Sequence, residues 1–198
     1  MADMEKTGKN LEGRGFRVHR FASGAEAAEF LVQTLHGTSI GIGGSVTIDT
    51  LGVYDRLCES NEVFWHWKNH APETRERAGK AETYLCSANG VSETGEIVNI
   101  DGTGNRVASM IFGPKNVALI IGKNKFTETM DECMDRIKAV ACAKNAQRLG
   151  LSTPCAVAGR CTDCFSKERI CSVTTIIEAK PGAISEMHLI LVDEVLGY

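Results

Sequence analysis

Apolar and polar residues alternate near the start of this chain and then change to helical spacing. In RGFRVHRF, Phe16 and Val18 fall on one face, which is typical of a half-buried strand. The next segment predicts a helix, because Ser23 and Glu26 have the spacing of a capping box and AAEFLVQTL carries an apolar stripe that ends near Gly37. TSIGI then predicts a second strand.

The same order of strand and helix patterns continues along the chain. GGSVTIDTLGVYDRL predicts a glycine turn that enters a helix, EVFWHW and TYLCSA predict strands, and PETRERAGKAE between them predicts an exposed helix. RVASMIFG predicts a short helix, and VALIIG predicts a strand buried on both faces. A capping box at Thr129 and Glu132 begins a long predicted helix that ends near Leu149, with Gly150 as its cap. VTTIIEA and HLILVDEVLGY contain the last two predicted strands.

Strands that alternate with helices predict an α/β fold with a doubly wound, mostly parallel sheet. A length of 198 residues with 43% hydrophobic content is enough to bury one sizeable core. We therefore expect a single domain over residues 1–198. Within it, residues 1–13 are expected to be flexible or to form an N-terminal helix, and residues 152–172 form a cysteine-rich segment.

The net charge and the distribution of basic residues limit the classes of molecule that the protein is expected to bind. The 22 Lys and Arg residues and 25 Asp and Glu residues give a net charge of −3, and the basic residues form no runs. Binding to nucleic acid or to an anionic membrane is therefore not expected, whereas a small anionic ligand is compatible with the sequence. The polar N-terminus lacks a secretory signal and no segment is apolar enough to span a membrane, so we expect a cytoplasmic protein.

A glycine-rich turn, SIGIGGSVT, lies between a predicted strand and a predicted helix. Glycines let the backbone approach a ligand there, and helix N–H groups and hydroxyls can bind an anion. The spacing is neither Gly-x-Gly-x-x-Gly nor the P-loop pattern, so a dinucleotide or nucleoside triphosphate is not indicated. A tight turn that needs glycine only for its conformation is the alternative. The ligand-binding candidates in this turn are Gly41, Gly43, Gly44, Ser45 and Thr47.

A second loop, TGEIVNIDGTGNRVA, combines glycines with charged side chains. Arg106 could bind a carboxylate or phosphate in bidentate fashion, and Asp101 or Glu93 could act as a catalytic acid or base. GKNKF follows the VALIIG strand at the sheet edge where α/β proteins bind ligands. A surface hairpin is the alternative for the loop. These segments add the ligand-binding candidates Gly102, Gly104, Asn105, Arg106, Lys123 and Lys125.

The string TGEIVNIDGTGNRVASMIFGPKNVALIIGKNK, the later C-x-x-C…RIC segment and the ending LVDEVLGY together resemble the LUD (lactate-utilisation) domain family over about residues 39–198. The resemblance implies a fold similar to that of ribose-5-phosphate isomerase and the CoA transferases. It also implies a role in oxidising L-lactate or a related 2-hydroxy acid alongside partner proteins that carry iron–sulfur clusters. It transfers no catalytic residue. A stand-alone sugar-phosphate isomerase or CoA-transferase-like enzyme and a non-catalytic metal-binding or redox-partner module are the alternatives.

Half of the eight cysteines lie between positions 155 and 171. The pair Cys161 and Cys164 is typical of the first half of a zinc or iron–sulfur site, and Cys155 and Cys171 would complete four thiolates. The ferredoxin run C-x2-C-x2-C is absent. A redox dithiol and structural thiols are the alternatives. The cysteines predicted to be small core residues are Cys58, Cys86, Cys133 and Cys142.

Two further expectations concern a histidine and the sheet edges. His66 alternates with Trp65 and Trp67 in a predicted strand, and we expect it to be a hydrogen-bonded structural histidine. Edge strands of such sheets often pair with another copy, so a homodimer is compatible with the sequence.

Overall fold

A computed structural model describes residues 2–198 and contains two sheets flanked by helices. The strands are β1 Arg17–Phe21, β2 Ser39–Ile42, β3 Glu62–Trp65, β4 Thr83–Cys86, β5 Gly90–Ser92, β6 Ile97–Asp101, β7 Asn116–Gly122, β8 Phe126–Thr127, β9 Val173–Ile177 and β10 Glu186–Val192. The α-helices are α1 Met4–Gly13, α2 Gly24–Thr34, α3 Val46–Leu51, α4 Tyr54–Cys58, α5 Thr74–Gly79, α6 Asn105–Ile111, α7 Met130–Arg136, α8 Cys142–Arg148 and α9 Pro154–Ala158. Among these described residues, no helix has the length and apolar content needed to cross a membrane.

The main sheet has six parallel strands in the order β1-β10-β7-β4-β2-β3. Its central strand β7 is buried on both faces, because Val117, Leu119 and Ile121 belong to one apolar core while Ala118 and Ile120 belong to the other. Residues of α1, α5 and α6 pack in the first core, and residues of α2, α3 and α4 pack in the second. The predicted α/β class with a doubly wound, mostly parallel sheet is confirmed.

The predicted helix boundaries hold best where side chains cap the helix. Ser23 accepts a hydrogen bond from the backbone N–H of Glu26 at 3.2 Å, and Thr129 accepts one from Glu132 at 3.2 Å. The predicted long helix runs through α7, a π-helical segment Ile137–Ala141 and α8. Gly150 follows with φ of +65°, a left-handed conformation that ends the helix at low cost.

Two segments of the main sheet region differ from their sequence patterns. The helix expected in GGSVTIDTLGVYDRL is two short helices, α3 and α4, because Gly52 takes a φ of +64° and stops the first one. The strand expected over EVFWHW ends at Trp65, and the next residues turn away from the sheet. Both changes shorten elements at one end of the sheet and leave more chain there in loops.

A second, four-stranded sheet in the order β8-β5-β6-β9 was not predicted. Its strands are short, and β6 pairs antiparallel with both β5 and β9. The β6–β9 register ends at Asp101 opposite Val173, and the Ser172 N–H donates to the Asp101 carbonyl at 2.9 Å. This pairing brings the chain that follows the cysteine-rich segment next to the loop that begins at Asp101.

Gly41 illustrates a glycine that the packing requires. It lies in β2, and a Cβ atom there would collide with the backbone carbonyl of Ala78 in α5. The absence of a side chain therefore lets α5 pack against the sheet.

Replacement of Gly41 by alanine is expected to lower the free energy of unfolding by on the order of 3 kcal/mol, because backbone atoms must move to relieve the overlap. Chemical denaturation of the purified variant measures this loss. Gly13→Ala is the matched control, since a Cβ atom at Gly13 meets nothing within 4 Å. Equal stabilities for the two variants would contradict the packing role of Gly41.

Candidate functional site

A cavity of about 430 Å3 opens at the carboxyl ends of the parallel strands. Its walls come from the segments that follow β2, β3, β4 and β7, together with the loop after β6. The helix that ends in α8, the cysteine-rich segment and Tyr198 close the opposite side. In an open parallel sheet this edge is where ligands usually bind, because loops from several strands meet there.

Most of the ligand-binding candidates are brought together in this cavity. The predicted residues that line it are Gly44, Ser45, Thr47, Asp101, Gly102, Asn105, Arg106, Lys125, Cys155, Cys161, Cys164 and Cys171. The predicted residues that do not line it are Gly41, Gly43, Glu93, Gly104 and Lys123.

Three of the residues outside the cavity have structural partners elsewhere. Glu93 accepts the N–H of Asp3 at 2.8 Å and forms an ion pair with Lys6 at 2.6 Å, so it holds α1 against the second sheet. Lys123 is about half exposed and lies 3.1 Å from a carboxylate oxygen of Asp193. Gly43 leaves room for Tyr84, whose hydroxyl would be 2.7 Å from an added Cβ. Each of these residues therefore has a structural role outside the cavity.

The glycine turn contributes the hydroxyl groups of Ser45 and Thr47 to the cavity, whereas the N-terminus of α3 contributes little. The helix that follows it, α3, has only six residues, and its first turn is already capped by Ser45, which accepts from the Ile48 N–H at 3.3 Å. A short helix has a small dipole, so its N-terminus adds little to anion binding. Thr47 is instead buried with its hydroxyl next to Lys125.

Asp101 and Arg106 hold the second loop in shape. One carboxylate oxygen of Asp101 accepts the N–H groups of Thr103 and Gly104 at 3.1 and 3.0 Å, and the other lies 3.2 Å from Nε of Arg106. Arg106 also donates to the Ile100 carbonyl at 2.7 Å. Both side chains are largely buried, so their charges are committed to each other and to the loop backbone.

Lys125 is the cavity residue with the most unusual surroundings. It follows β7 in a single 3-10 turn, is 3% exposed, and donates to Thr47 Oγ1 at 2.8 Å and to Ser87 Oγ at 2.7 Å. Within residues 2–198 no carboxylate lies within 4.0 Å of its amino group. A protonated lysine has three N–H donors, so one remains for a ligand.

The surroundings of Lys125 lower the pKa of its amino group to about 7. Burial is the main cause, and the positive charge of Arg136 adds to it. Cys86 acts in the opposite direction, and Arg106 contributes the smallest lowering effect. The amino group therefore loses its proton far more readily than an exposed lysine does, and an anion beside it would favour the charged form.

Other basic side chains make the cavity wall strongly cationic. Arg148 lies over the ring of Trp67 at 4.8 Å and donates to Asn145, while Arg169 donates to the carbonyls of Cys164 and Cys171. Together with Arg75, Arg106 and Lys125, they give five Arg and Lys side chains in the wall against one acidic side chain, that of Asp101. An anionic ligand would balance this excess of positive charge.

His66 also lines the cavity, although a hydrogen-bonded structural histidine was expected at this position. Its buried Nδ1 has no hydrogen-bond partner in the described part of the chain, so the expectation of a hydrogen-bonded structural histidine is wrong at this atom. Burial, followed by the charges of Arg75 and His70, lowers the pKa of the imidazole. The ring is therefore neutral at pH 7 and can accept a proton. No sequence signal distinguished it, since its side of the strand was ambiguous.

Cys142 is a fifth cysteine in the cavity wall, although its spacing predicted a core residue. Burial raises the pKa of its thiol to about 12, and Cys171, Cys161 and Cys155 contribute in that order. A thiol affects a neighbour's pKa only at short range, so these side chains share one region. Of the other cysteines predicted to be buried, Cys58 is exposed.

Comparisons with known proteins identify relatives at the level of family and fold. The model of the LUD domain family matches residues 4–192. The crystal structure of a DUF162 family protein from Deinococcus radiodurans is similar, with a TM-score of 0.57 and 12% sequence identity over 96% of this chain and 95% of that chain. At this identity the likeness concerns the fold alone. No curated protein matches the chain.

Replacement of Lys125 by methionine is expected to raise the free energy of unfolding of the ligand-free protein by on the order of a few kcal/mol at pH 6–7. In the wild type, Lys125 binds its proton more strongly in the unfolded chain than in the folded protein, because folding lowers its pKa. Protonation therefore favours unfolding. The increase in the free energy of unfolding over the wild type should be largest below about pH 7, where Lys125 of the wild type is protonated in both states. It should shrink as the pH rises towards 10.5, the ordinary pKa of lysine. Denaturant titrations at several pH values measure it.

The control for this measurement is Lys123→Met, which removes an exposed ion pair and should change stability by less than about 1 kcal/mol. If the Lys125→Met variant is less stable than the wild type at pH 6, then the buried amino group does not destabilise the folded protein, contrary to this prediction.

Proposed function

The chain belongs to the LUD domain family, which is associated with lactate utilisation, and on that premise we propose that its cavity binds a small carboxylate such as L-lactate or pyruvate. The protein would act in the oxidation of this 2-hydroxy acid together with iron–sulfur partner proteins that accept the electrons. The observation that carries the proposal is the buried amino group of Lys125, which faces the cavity with two hydroxyl partners and no carboxylate.

An anionic ligand explains this arrangement better than a neutral one. Keeping a charged lysine buried without a counter-ion is costly, and the same burial lowers the pKa of Lys125. A ligand carboxylate next to the amino group would supply the missing charge and would accept its third N–H. Arg75 and Arg148 add positive charge along the same wall.

The size of the cavity is consistent with a small metabolite. Its volume of about 430 Å3 lies at the lower end of the range of roughly 300–1,000 Å3 that is usual for small-molecule sites. A three-carbon acid would fill only part of this space. It would therefore lie next to Lys125 while the region beside the cysteines stays accessible to another group.

His66 is the residue that we assign to proton transfer. In the oxidation of a 2-hydroxy acid to a 2-keto acid, the hydroxyl group gives its proton to a base. The Cα hydrogen leaves with both electrons of the C–H bond, as a hydride equivalent that the partner proteins must accept. The imidazole of His66 has a lowered pKa and lines the cavity, whereas the carboxylate of Asp101 is occupied by two backbone N–H groups and by Arg106. A stand-alone isomerase that uses Asp101 as its base is favoured by no observation.

L-lactate or pyruvate is expected to raise the melting temperature of the purified protein, because a ligand that binds only the folded state stabilises it. At a hundredfold excess over the dissociation constant, the gain is about 2.7 kcal/mol, or roughly 5–10 °C for a chain of this size. Lys125→Met should abolish the shift. Thermal unfolding with sodium chloride at equal ionic strength as the reference measures it.

Lys123→Met is the matched control for this experiment, since Lys123 lies two positions away outside the cavity and should leave the shift unchanged. The ligand proposal fails if neither acid stabilises the wild type, or if both lysine variants respond as the wild type does.

The affinity for the ligand should depend on pH through Lys125. Lactate is ionised throughout the neutral range, so binding should weaken by about tenfold between pH 6 and pH 8 as the amino group of the free protein loses its proton near pH 7. Calorimetric titrations at a series of pH values measure the trend. A Lys125→Arg variant that still binds should lose this pH dependence, because arginine stays charged. A wild-type affinity that is constant over this range would contradict the role of Lys125.

A further inference from the structure

The cysteine-rich segment brings an unusual number of thiols to the cavity wall. Five free cysteines from three parts of the chain line that wall, namely Cys142, Cys155, Cys161, Cys164 and Cys171. A concentration of this kind needs a physical explanation, because the remaining three cysteines lie elsewhere and line no part of the cavity.

An irregularity in the long helix anchors the segment. The N–H of Cys142 donates to the carbonyl of Ile137, five residues earlier, at the end of the π-helical stretch. One turn before Cys142, the carbonyl of Lys138 accepts the N–H of Cys161 at 2.9 Å. Irregular turns of this type inside helices are frequent at functional sites. Here the turn attaches the loop that contains Cys161 to the helix that carries Cys142.

The first cysteine of the segment is positioned by helix packing. Cys155 lies in the first turn of α9, and α9 packs against α8, where Gln147 donates to the Ala156 carbonyl at 2.8 Å. Thr153, which is 1% exposed, places its hydroxyl 3.2 Å from the Cys155 sulfur. The sulfur of Cys155 is therefore held at the wall instead of extending into solvent.

The last two cysteines are fixed by one arginine and by the second sheet. Arg169 donates to the carbonyls of Cys164 and Cys171 at 2.9 and 3.0 Å, which holds the two backbone positions close together. Cys171 directly precedes Ser172, whose N–H binds the Asp101 carbonyl. The guanidinium of Arg169 therefore also places a positive charge beside these two cysteines.

The arrangement of these thiols favours a cluster over a single metal ion. Zinc requires its sulfurs about 2.3 Å from one atom, so they must nearly touch one another. Among residues 2–198, no three side chains of His, Cys, Asp or Glu are close enough to share one ion. In a four-iron cluster each thiolate binds a different iron atom, so the cysteine sulfurs stand further apart around a common centre.

We propose that Cys155, Cys161, Cys164 and Cys171 bind an iron–sulfur cluster of the four-iron type in the wall of the cavity. Cys142, which packs on the apolar cluster around Ile137, is the neighbour behind the cluster and not a ligand. The proposal does not rest on the binding of lactate. It places a redox centre inside this chain, in the same cavity as Lys125.

Anaerobic purification followed by iron and acid-labile sulfide analysis tests the proposal. We expect about four iron and four sulfide per chain, with a visible absorption band that dithionite bleaches. A Cys161→Ser, Cys164→Ser variant should lose at least tenfold in iron, and a single Cys171→Ser variant should also lose it. Cys142→Ala should keep its iron, and so should Cys58→Ser, which alters an exposed thiol outside the cavity.

The wild-type content decides the question even if a ligand variant fails to fold. Stoichiometric zinc without sulfide, or a metal-free protein after anaerobic reconstitution with iron and sulfide, would overturn the proposal. Loss of iron from Cys142→Ala equal to that from Cys171→Ser would overturn the ligand assignment. The thermal shift with lactate is measured separately with the Lys125 variants, so failure of one proposal can be told from failure of the other.

Discussion

Burial of β7 and β10 on both faces is the constraint on which the rest of the molecule depends. Alternate residues of these strands pack in two separate cores, so helices must cover both sides of the sheet. With both faces covered, the loops can gather only at the strand ends. The carboxyl ends then receive the chain after β2, β3, β4 and β7, and the cavity lies where those segments meet.

The second sheet connects the two halves of this cavity. Its strand β6 leads into the loop held by Asp101 and Arg106, and its partner β9 follows the cysteine-rich segment. Because the two strands are hydrogen-bonded, the loop and the segment keep a fixed relation although about 70 residues separate them along the chain. The cationic side of the cavity and the thiol side are thus parts of one structure.

Much of this architecture could be predicted from the sequence, because its signals are local. The capping pairs at Ser23 and Thr129 begin helices where the pattern placed them, and VALIIG is the doubly buried strand that its composition indicated. The second sheet could not be predicted, since strands of two to five residues gain their stability from distant partners. The cavity was anticipated only in part. Tertiary packing places Cys142 and His66 in the cavity, and the residue spacing in the sequence around them does not indicate this position.

The π-helical stretch Ile137–Ala141 determines where the long helix can change length. A π turn holds about one residue more than an α turn, so deletion of one residue within the stretch could close it as regular α-helix with nearly the same orientation for the chain beyond. A deletion in α7 would instead turn everything beyond it by about 100° around the helix axis. Cys142 and Arg148 would then leave the cavity, and α9 would lose its place against α8. Single-residue changes of length should therefore be tolerated in the π-helical stretch and excluded from α7 during evolution, whereas the open turn at Gly182 can change length at little cost.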